Sequence, residues 1–370
     1  MTIEQIVGGV IWIQSMILLA ALVFAVFEAA FMLCGQRRCF LTRRRLGVSA
    51  CLSLAVLPFV LPLLMSSPLA TSVNATDAIV AQYLKGNLSV SASEMSSLIS
   101  MKTQFVDHIA TGGSWPVMVL VAAFLTALIA RSVYLLVNVS RISRAIQAGH
   151  VMRQSRRVRV VVSPEITVPF STRGLWFYYV VLPENLYRDR DAMQMSIGHE
   201  MQHIRQGDVD AEVVLSLISP LVVLNPGFWF LSGRLRKLGE LACDRAYLAR
   251  RRFDAHGYSI RLLTIARRNR NTRGQPRAFG VPLVGRSVPL IGRRSMLKDR
   301  ILEIAHDQSN PTRERRFIGV AMSVVMSACV LLGATSLAQP AGWSHERIML
   351  STVANLERLN QLNTLAQRSW

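Results

Sequence analysis

The sequence contains few charged residues, and acidic residues are the scarcer kind. Charged residues make up 17% of the 370 positions, against about 25% in ordinary soluble domains. Only 22 Asp and Glu stand beside 42 Lys and Arg, whereas hydrophobic residues reach 51%. This balance argues against a large soluble core and predicts membrane-spanning segments.

Cysteine is scarce as well. The five cysteines are Cys34, Cys39, Cys51, Cys243 and Cys329. Their number is odd and no C-x-x-C pair occurs, so no disulfide framework can be inferred from the sequence. We expect these thiols to be reduced and mostly buried.

Four stretches reach the roughly 20 apolar residues that a transmembrane helix needs. They cover residues 6–33, 48–69, 116–137 and 317–337. The first follows the start MTIEQ, which lacks the positive charge and the cleavage site of a signal peptide. We therefore expect it to remain as an uncleaved span.

Basic residues are concentrated in segments that we place on the cytoplasmic side of the membrane. Segment 35–47 has five arginines and no acid, and segment 140–316 has 31 Lys and Arg against 15 Asp and Glu. The positive-inside rule then puts loop 70–115 and both termini outside. The predicted domains are three transmembrane helices in 1–138, a cytoplasmic domain in 139–316, a fourth transmembrane helix in 317–337 and an extracytoplasmic tail in 338–370.

The excess of positive charge has two explanations. Nucleic-acid binding would be accompanied by a recognisable motif, and no helix-turn-helix or zinc-finger pattern occurs. The positive-inside rule together with contact to anionic lipid accounts for the charge without such a motif. We expect membrane lipids as partners, and no direct nucleic-acid binding.

Segment 156–186 is rich in Val, Ile and aromatic residues broken by Pro and Gly, which predicts two or three short strands. The following stretch, SIGHEMQHIRQGD, contains H-E-x-x-H as His199, Glu200 and His203. Residues four apart lie on one face of a helix, and Gly207 is a plausible helix end. Two imidazoles on one face can bind zinc, with Glu200 as general base on a water.

A catalytic zinc takes three protein ligands, and the third is expected on another helix. The stretch GELACDRA offers Glu240 as ligand and Asp244, four residues later, as hydrogen-bond acceptor for a histidine N–H. Alternatively, the two acids pair with Arg236 and Arg245 on a solvated helix face. Cys243 is a second candidate ligand, although a buried structural thiol is the simpler interpretation.

Two further residues are less informative. We regard His256 as a surface or packing residue. Tyr247 and nearby arginines are open candidates for stabilising an oxyanion.

An apolar run at 213–230 is long enough to suggest a fifth span. A single crossing would place Glu240 about 30 Å from the histidines, which shared zinc ligation excludes. The run must turn back or lie in the interface, and Pro220 and Pro226 favour such a break.

The motifs and their order resemble the BlaR/MecR-type membrane zinc metallopeptidases, the β-lactam sensor–transducers and their relatives. The resemblance covers about 161–304 and rests on VPFSTRGLWFYYVVLPENL, GHEMQHIRQGD, NPGFWF and ELACD. It implies an α-helical protein of the bacterial inner membrane, with four transmembrane helices and a cytoplasmic α+β gluzincin-type zinc metallopeptidase domain. The implied Zn²⁺ site has His199, His203 and Glu240 as ligands and Glu200 as base.

The resemblance also implies self-cleavage in the loop after the zinc helices. That loop is 271–292, with a candidate cut near Ala278–Phe279–Gly280. Sensor members of the family carry a penicillin-binding domain after the fourth span, whereas here only the tail follows, so we do not expect this chain to sense β-lactams. A sensor would be loop 70–115, the tail or a separate protein. The tail is either an amphipathic helix or weakly ordered.

Three functions are compatible with these features. The first is a regulatory protease that cuts itself or a cytoplasmic repressor-like partner. The second is a housekeeping protease that removes damaged membrane proteins. The third is a scaffold that has lost its activity, which the full set of ligands and base argues against.

Overall fold

The chain divides into two compact units in the computed structural model. One unit, the terminal unit, comprises Met1–Val23, Ser49–Ala123 and Val324–Trp370; the other, the site unit, comprises Phe24–Val48 and Phe124–Ser323. The structure describes residues 3–65, 75–110, 115–187, 189–251, 255–271, 293–307, 316–337, 348–357 and 359.

Helices dominate the described part of the chain. They are α1 (Ile3–Leu33), α2 (Phe40–Met65), α3 (Ala75–Leu84), α4 (Ala92–Ala110), α5 (Trp115–Gln147), α6 (Arg190–Gln206), α7 (Asp208–Ile218), α8 (Pro226–Arg251), α9 (Ala255–Asn271), α10 (Arg293–Asp307) and α11 (Arg316–Leu337). A short 3₁₀ turn, Glu184–Leu186, precedes α6.

Four helices are long and apolar enough to cross a membrane, as the sequence predicted. The qualifying stretches are Gln5–Leu33, Phe40–Leu61, Trp115–Gln147 and Phe317–Leu337. Among the described residues, the run 213–230 is not one of them.

The second span begins earlier than the sequence predicted, and the third span is longer. Helix α2 begins at Phe40 rather than at 48, and α5 continues to Gln147 rather than ending at 137. The arginines at 43–45 therefore lie on a helix and not in a loop. Arg43 and Arg44 have acidic partners in the structure, which offset the charge that suggested a loop.

Described residues of the terminal unit form two apolar clusters. Met16, Leu57 and Ala334 join α1, α2 and α11. Val80, Met95 and Leu350 join α3 and α4, which lie in the predicted outer loop, to a helical segment at 348–357. Helices in the outer loop were not predicted, and the tail is helical over these ten described residues, as its apolar spacing allowed.

The site unit contains a four-stranded sheet with strand order β1-β2-β4-β3. The strands are β1 (His150–Gln154), β2 (Val158–Ser163), β3 (Phe170–Arg173) and β4 (Tyr178–Pro183). Strands β2 and β4 pair in parallel, and the two outer pairings are antiparallel. Strand β1 was not predicted from the sequence; all five of its residues are exposed, so it lacks the buried apolar pattern that identifies a strand.

Both faces of the sheet are covered, which explains the continuous apolar runs in its central strands. On one face, Val160, Val180 and Leu182 pack against Met193 and Ile197 of α6. On the other face, Val181 and Phe170 pack against the C-terminal end of α5, through Ile142 and Ala145. The sheet thus holds α6, the helix that carries H-E-x-x-H, against one of its faces.

Helix α6 has defined ends. Asp189 accepts a hydrogen bond from the Ala192 amide at its start. Gly207 ends it with φ of 73°, in the left-handed region that glycine adopts without strain. Helix α7 starts at once with Asp208, so the boundary between the two helices lies within a few residues of His203.

Helices α7 and α8 are separated by a turn, which agrees with the predicted break in the run 213–230. Helix α7 ends at Ile218 and α8 begins at Pro226. The Asn225 side chain accepts a hydrogen bond from the Phe228 amide, which caps the start of α8, and proline is favoured at the first helical position.

A buried charge cluster joins α1, α2 and α8. Glu28 accepts hydrogen bonds from Arg43 at 2.6 and 2.8 Å and from Arg234 at 2.5 Å. Removing one partner from a buried ion pair leaves an uncompensated charge, which is strongly destabilising.

We predict that Glu28→Ala destabilises the protein by about 3–5 kcal/mol, because Arg43 and Arg234 both lose their carboxylate. Thermal unfolding of the purified full chain in detergent measures the change. Glu165→Ala, at an exposed position, is the control and should leave the midpoint unchanged. An unchanged midpoint for Glu28→Ala would show that the cluster does not stabilise the fold.

Candidate metal centre

The two histidines of α6 face each other. Their Nε2 atoms are 3.2 Å apart, and the rings are nearly perpendicular at 88°. Both side chains are largely buried. At this separation both nitrogens can bind the same cation.

The Nδ1 atom of each histidine has a hydrogen-bond partner on its far side. His203 Nδ1 lies 2.8 Å from Asp208 Oδ2. His199 Nδ1 lies 3.1 Å from the Tyr258 hydroxyl, which itself donates to Asp244 Oδ1 at 2.7 Å. The Asp208 carboxylate can only accept a hydrogen bond, so His203 must carry a proton on Nδ1. The Tyr258 hydroxyl already donates its proton to Asp244 and can only accept from His199, so His199 also carries a proton on Nδ1. Both Nε2 lone pairs then point into the shared space.

Glu240 completes a triangle of donor atoms. Its Oε1 is 3.7 Å from His203 Nε2, and its Oε2 is 3.7 Å from His199 Nε2. Burial disfavours its charge, but Arg300 and the two histidines hold the pKa of Glu240 well below its ordinary value. Glu240 is thus an anionic oxygen donor beside two nitrogen donors.

Arg300 of α10 organises both acids of α8. It lies 2.8 Å from Glu240 Oε2, and it binds both oxygens of Asp244 at 2.7 Å. The sequence also allowed Glu240 and Asp244 to pair with Arg236 and Arg245. In the structure, Arg236 instead contacts Glu212, and Arg245 donates to the Arg38 carbonyl.

The surroundings of the histidines favour positive charge. Burial opposes protonation of His199, but Cys243 and Glu240 raise its pKa to about 10. Burial also opposes protonation of His203, whereas Cys243, Asp208 and Glu240 raise its pKa well above the ordinary value. A pocket that attracts protons so strongly also attracts a metal cation, and the two compete for the same nitrogens.

Glu200, the next residue after His199, points towards the sheet. Its Oε2 accepts a hydrogen bond of 2.7 Å from Ser171, on the edge strand β3. This bond fixes the orientation of the Glu200 carboxylate, which is adjacent in sequence to the proposed ligand His199.

The family model that matches the chain is BlaR1 peptidase M56, over residues 31–297. This match covers well over half of the sequence and includes both histidines, Glu240 and Asp244. The chain belongs to the BlaR1 peptidase M56 family. The resemblance seen in the sequence motifs is therefore confirmed. No curated protein matches the chain.

Membership of the M56 family identifies a membrane metallopeptidase, and the four apolar helices agree with this class. A metallopeptidase of this family implies a metal, usually zinc. The residues present fit such an ion, because two imidazole lone pairs and a carboxylate converge on one space from two helices, α6 and α8.

This M56 peptidase has a second possible ligand set. His199, His203 and Cys243 have ligand atoms within 4.8 Å of one another. The thiol is 3.7 Å from His199 Nδ1, however, and it donates to the His199 carbonyl at 3.4 Å. Cys243 thus contacts His199 at Nδ1 and at the carbonyl oxygen, whereas the Glu240 oxygens lie near the two Nε2 atoms. It is also the only one of the five cysteines that is buried, so the expectation of mostly buried thiols was wrong.

The acceptor expected for a histidine N–H is arranged differently from the prediction. Asp244 Oδ1 is 3.5 Å from His199 Nδ1, with the Tyr258 hydroxyl nearer to both. Asp244 therefore acts on His199 through Tyr258, and the acid that contacts a histidine directly is Asp208.

Four residues of the site were missed in the sequence: Ser171, Asp208, Tyr258 and Arg300. Asp208 could have been found, because it follows His203 by five residues directly after a helix-ending glycine. Ser171, Tyr258 and Arg300 are separated from the motif by at least 28 residues on other elements, and only tertiary folding brings them to it.

The remaining candidates lie away from the donor triangle. Tyr247 is buried with its ring against Gly198 of α6 and 5.6 Å from the Tyr258 ring. His256 is exposed, as expected for a surface residue. The proposed self-cleavage loop lies outside the described residues, apart from the end of α9 at Asn271.

Close packing of α6 on α8 requires a glycine beside His199. A Cβ at position 198 would overlap the Tyr247 ring, whereas a Cβ at Gly233 of α8 meets nothing within 4 Å. We predict that Gly198→Ala destabilises the protein by about 1–3 kcal/mol through overpacking. Gly233→Ala, the control, should stabilise it by about 0.5–1 kcal/mol through helix propensity. Thermal unfolding of both variants tests the contrast, and similar midpoints would contradict it.

Proposed function

We propose that this chain is an integral-membrane zinc metalloprotease that hydrolyses peptide bonds. The observation that supports this most directly is the convergence of two Nε2 lone pairs and the Glu240 carboxylate, with separations of 3.2–3.7 Å. Ligand bonds of about 2.0–2.2 Å in a tetrahedral site place the donor atoms about 3.3–3.5 Å apart. His199, His203 and Glu240 would hold the ion in a gluzincin-type arrangement.

The residues around the ion would carry out the proton transfers. Zinc, when bound, would supply Lewis-acid polarisation of the attacking water and of the scissile carbonyl. Glu200 takes the proton from that water as it attacks and later delivers it to the leaving amine. Ser171 holds Oε2 of Glu200, which keeps the carboxylate in one orientation between the two transfers.

We further propose that the protease site faces the cytoplasm and that both termini are extracytoplasmic, in the bacterial inner membrane. The loop charges support this orientation through the positive-inside rule. Under this orientation, α3, α4 and the helical tail segment at 348–357 lie on the same side of the membrane. Their shared apolar cluster is consistent with that placement.

A regulatory role, in which the chain cuts itself or a cytoplasmic repressor-like partner, is our preferred function. The segment 272–292 connects α9, which carries Tyr258, to α10, which carries Arg300. Both residues belong to the hydrogen-bond network around His199 and Glu240. A cut between α9 and α10 would therefore break the covalent connection between the helices that carry Tyr258 and Arg300. Such a cut suits a protease that controls its own activity. A separate sensor protein is compatible with this role.

The role of Glu200 has a direct test. We predict that Glu200→Gln abolishes cleavage while the bound zinc remains, because Gln cannot accept the proton but leaves the three ligands in place. Membranes from cells expressing a doubly tagged chain are immunoblotted for fragments, and the metal content of the purified protein is measured. Glu165→Gln is the control and should behave as wild type. Fragments from Glu200→Gln at wild-type levels would refute the base role.

The ligand set is tested by two substitutions on α8. We predict that Glu240→Gln lowers the zinc content of the purified protein strongly and that Cys243→Ser leaves it unchanged, because the Glu240 oxygens lie 3.7 Å from Nε2 of each histidine, whereas the thiol donates to the His199 carbonyl. His203→Ala should also lose the metal, and thermal unfolding checks that each variant is folded. Loss of zinc from Cys243→Ser with retention in Glu240→Gln would assign the thiol as the third ligand.

A further inference from the structure

Arg44 of α2 contacts the site through one acid. Its Nη2 atom lies 2.5 Å from Asp208 Oδ1, and its side chain is only 7% exposed. The other oxygen of Asp208 binds Nδ1 of His203 at 2.8 Å. A single carboxylate therefore connects a helix that qualifies as a membrane span to a proposed zinc ligand.

Arg44 also caps the helix that carries both histidines. It donates a hydrogen bond of 2.9 Å to the carbonyl of Gln206, the last residue of α6. Carbonyls in the last turn of a helix lack partners within the helix and favour a nearby cation. One guanidinium thus fixes both the end of α6 and the acid that orients His203.

Asp208 has little room to adopt another position. A Cβ at Gly239 would lie 3.2 Å from Asp208 Oδ1, so α8 approaches this carboxylate closely one residue before Glu240. With Arg44 on one oxygen and His203 on the other, the carboxylate is held from three sides.

We propose that Arg44 is a positioning residue for the metal centre, and that α2 is thereby a structural part of the protease site. The inference rests on the proposed zinc site. Without Arg44, Asp208 turns towards water and the His203 imidazole loses its fixed tautomer and orientation. Loss of such an outer hydrogen-bond partner typically weakens metal affinity about 10–100-fold. Any displacement of α2 that separates Arg44 from Asp208 has the same effect, so the affinity for zinc depends on the position of a membrane helix.

The adjacent residue provides a matched control. Arg43 is also on α2 and buried, with a side chain 3% exposed, but it binds Glu28 instead of Asp208. Arg43→Gln and Arg44→Gln each remove one buried guanidinium from the same helical turn. Only the second removes the partner of Asp208.

The experiment measures zinc affinity of the purified full chain in detergent, by competition with a chromophoric chelator, with thermal unfolding recorded alongside. We expect Arg44→Gln to raise the zinc Kd about tenfold and Arg44→Lys to recover part of the loss. Arg43→Gln should lower the unfolding temperature and leave the Kd within twofold of wild type. Equal Kd values for Arg44→Gln and wild type would overturn the inference, as would an equal increase in both arginine variants.

A double-mutant cycle separates positioning from a general structural effect. In an Asp208→Asn background, Arg44→Gln should change the Kd less than twofold, because the residue through which Arg44 acts is already neutral. A full tenfold effect in that background would overturn the inference. A wild-type chain that binds no zinc would overturn the proposed function and this inference together, whereas the other outcomes leave the proposed function standing.

Discussion

The geometry of the site depends on the hydrogen bonds made by Nδ1 of the two histidines. They place both protons on the outer side of the imidazole rings, so that two lone pairs face each other 3.2 Å apart in a largely buried space. Two such lone pairs repel each other unless a proton or a metal cation binds to them, and the nearby Glu240 adds negative charge. The network of Asp208, Tyr258 and Asp244 therefore maintains an arrangement that a bound cation relieves.

Buried arginines hold this network together. Arg44 binds Asp208 and Arg300 binds Asp244, so each histidine is supported by an acid and each acid by a guanidinium. The arginines come from α2 and α10, outside the two helices that carry the proposed ligands. Burying ion pairs contributes little net stability because desolvation offsets the attraction. The main effect of these ion pairs is to orient the acids, since a planar guanidinium holds a carboxylate in one orientation.

The same physics explains which elements could be predicted. The histidines and the pair Glu240 and Asp244 lie on common helix faces because residues four apart do so on any helix. The strands β2 and β4 were visible because both of their faces are buried. Strand β1 is exposed throughout and shows no buried apolar pattern, and α2 begins among arginines that the sequence assigned to a loop. Strand β1 is formed by pairing with the adjacent β2 and not by burial of its own side chains, whereas the arginines of α2 find acidic partners that are distant in the sequence.

The sequence alone determined the four apolar helices, the H-E-x-x-H motif on α6, the spacing of Glu240 and Asp244 on α8 and membership of the M56 family, since all of these depend on local pattern and spacing. Tertiary structure alone decided which groups hold each histidine. Tyr258, Arg300 and Arg44 reach the site from three other helices, and no periodicity links them to His199 or His203. Contacts between distant elements depend on how helices pack, and that packing is set by the sheet, by Gly198 and by the turn between α7 and α8.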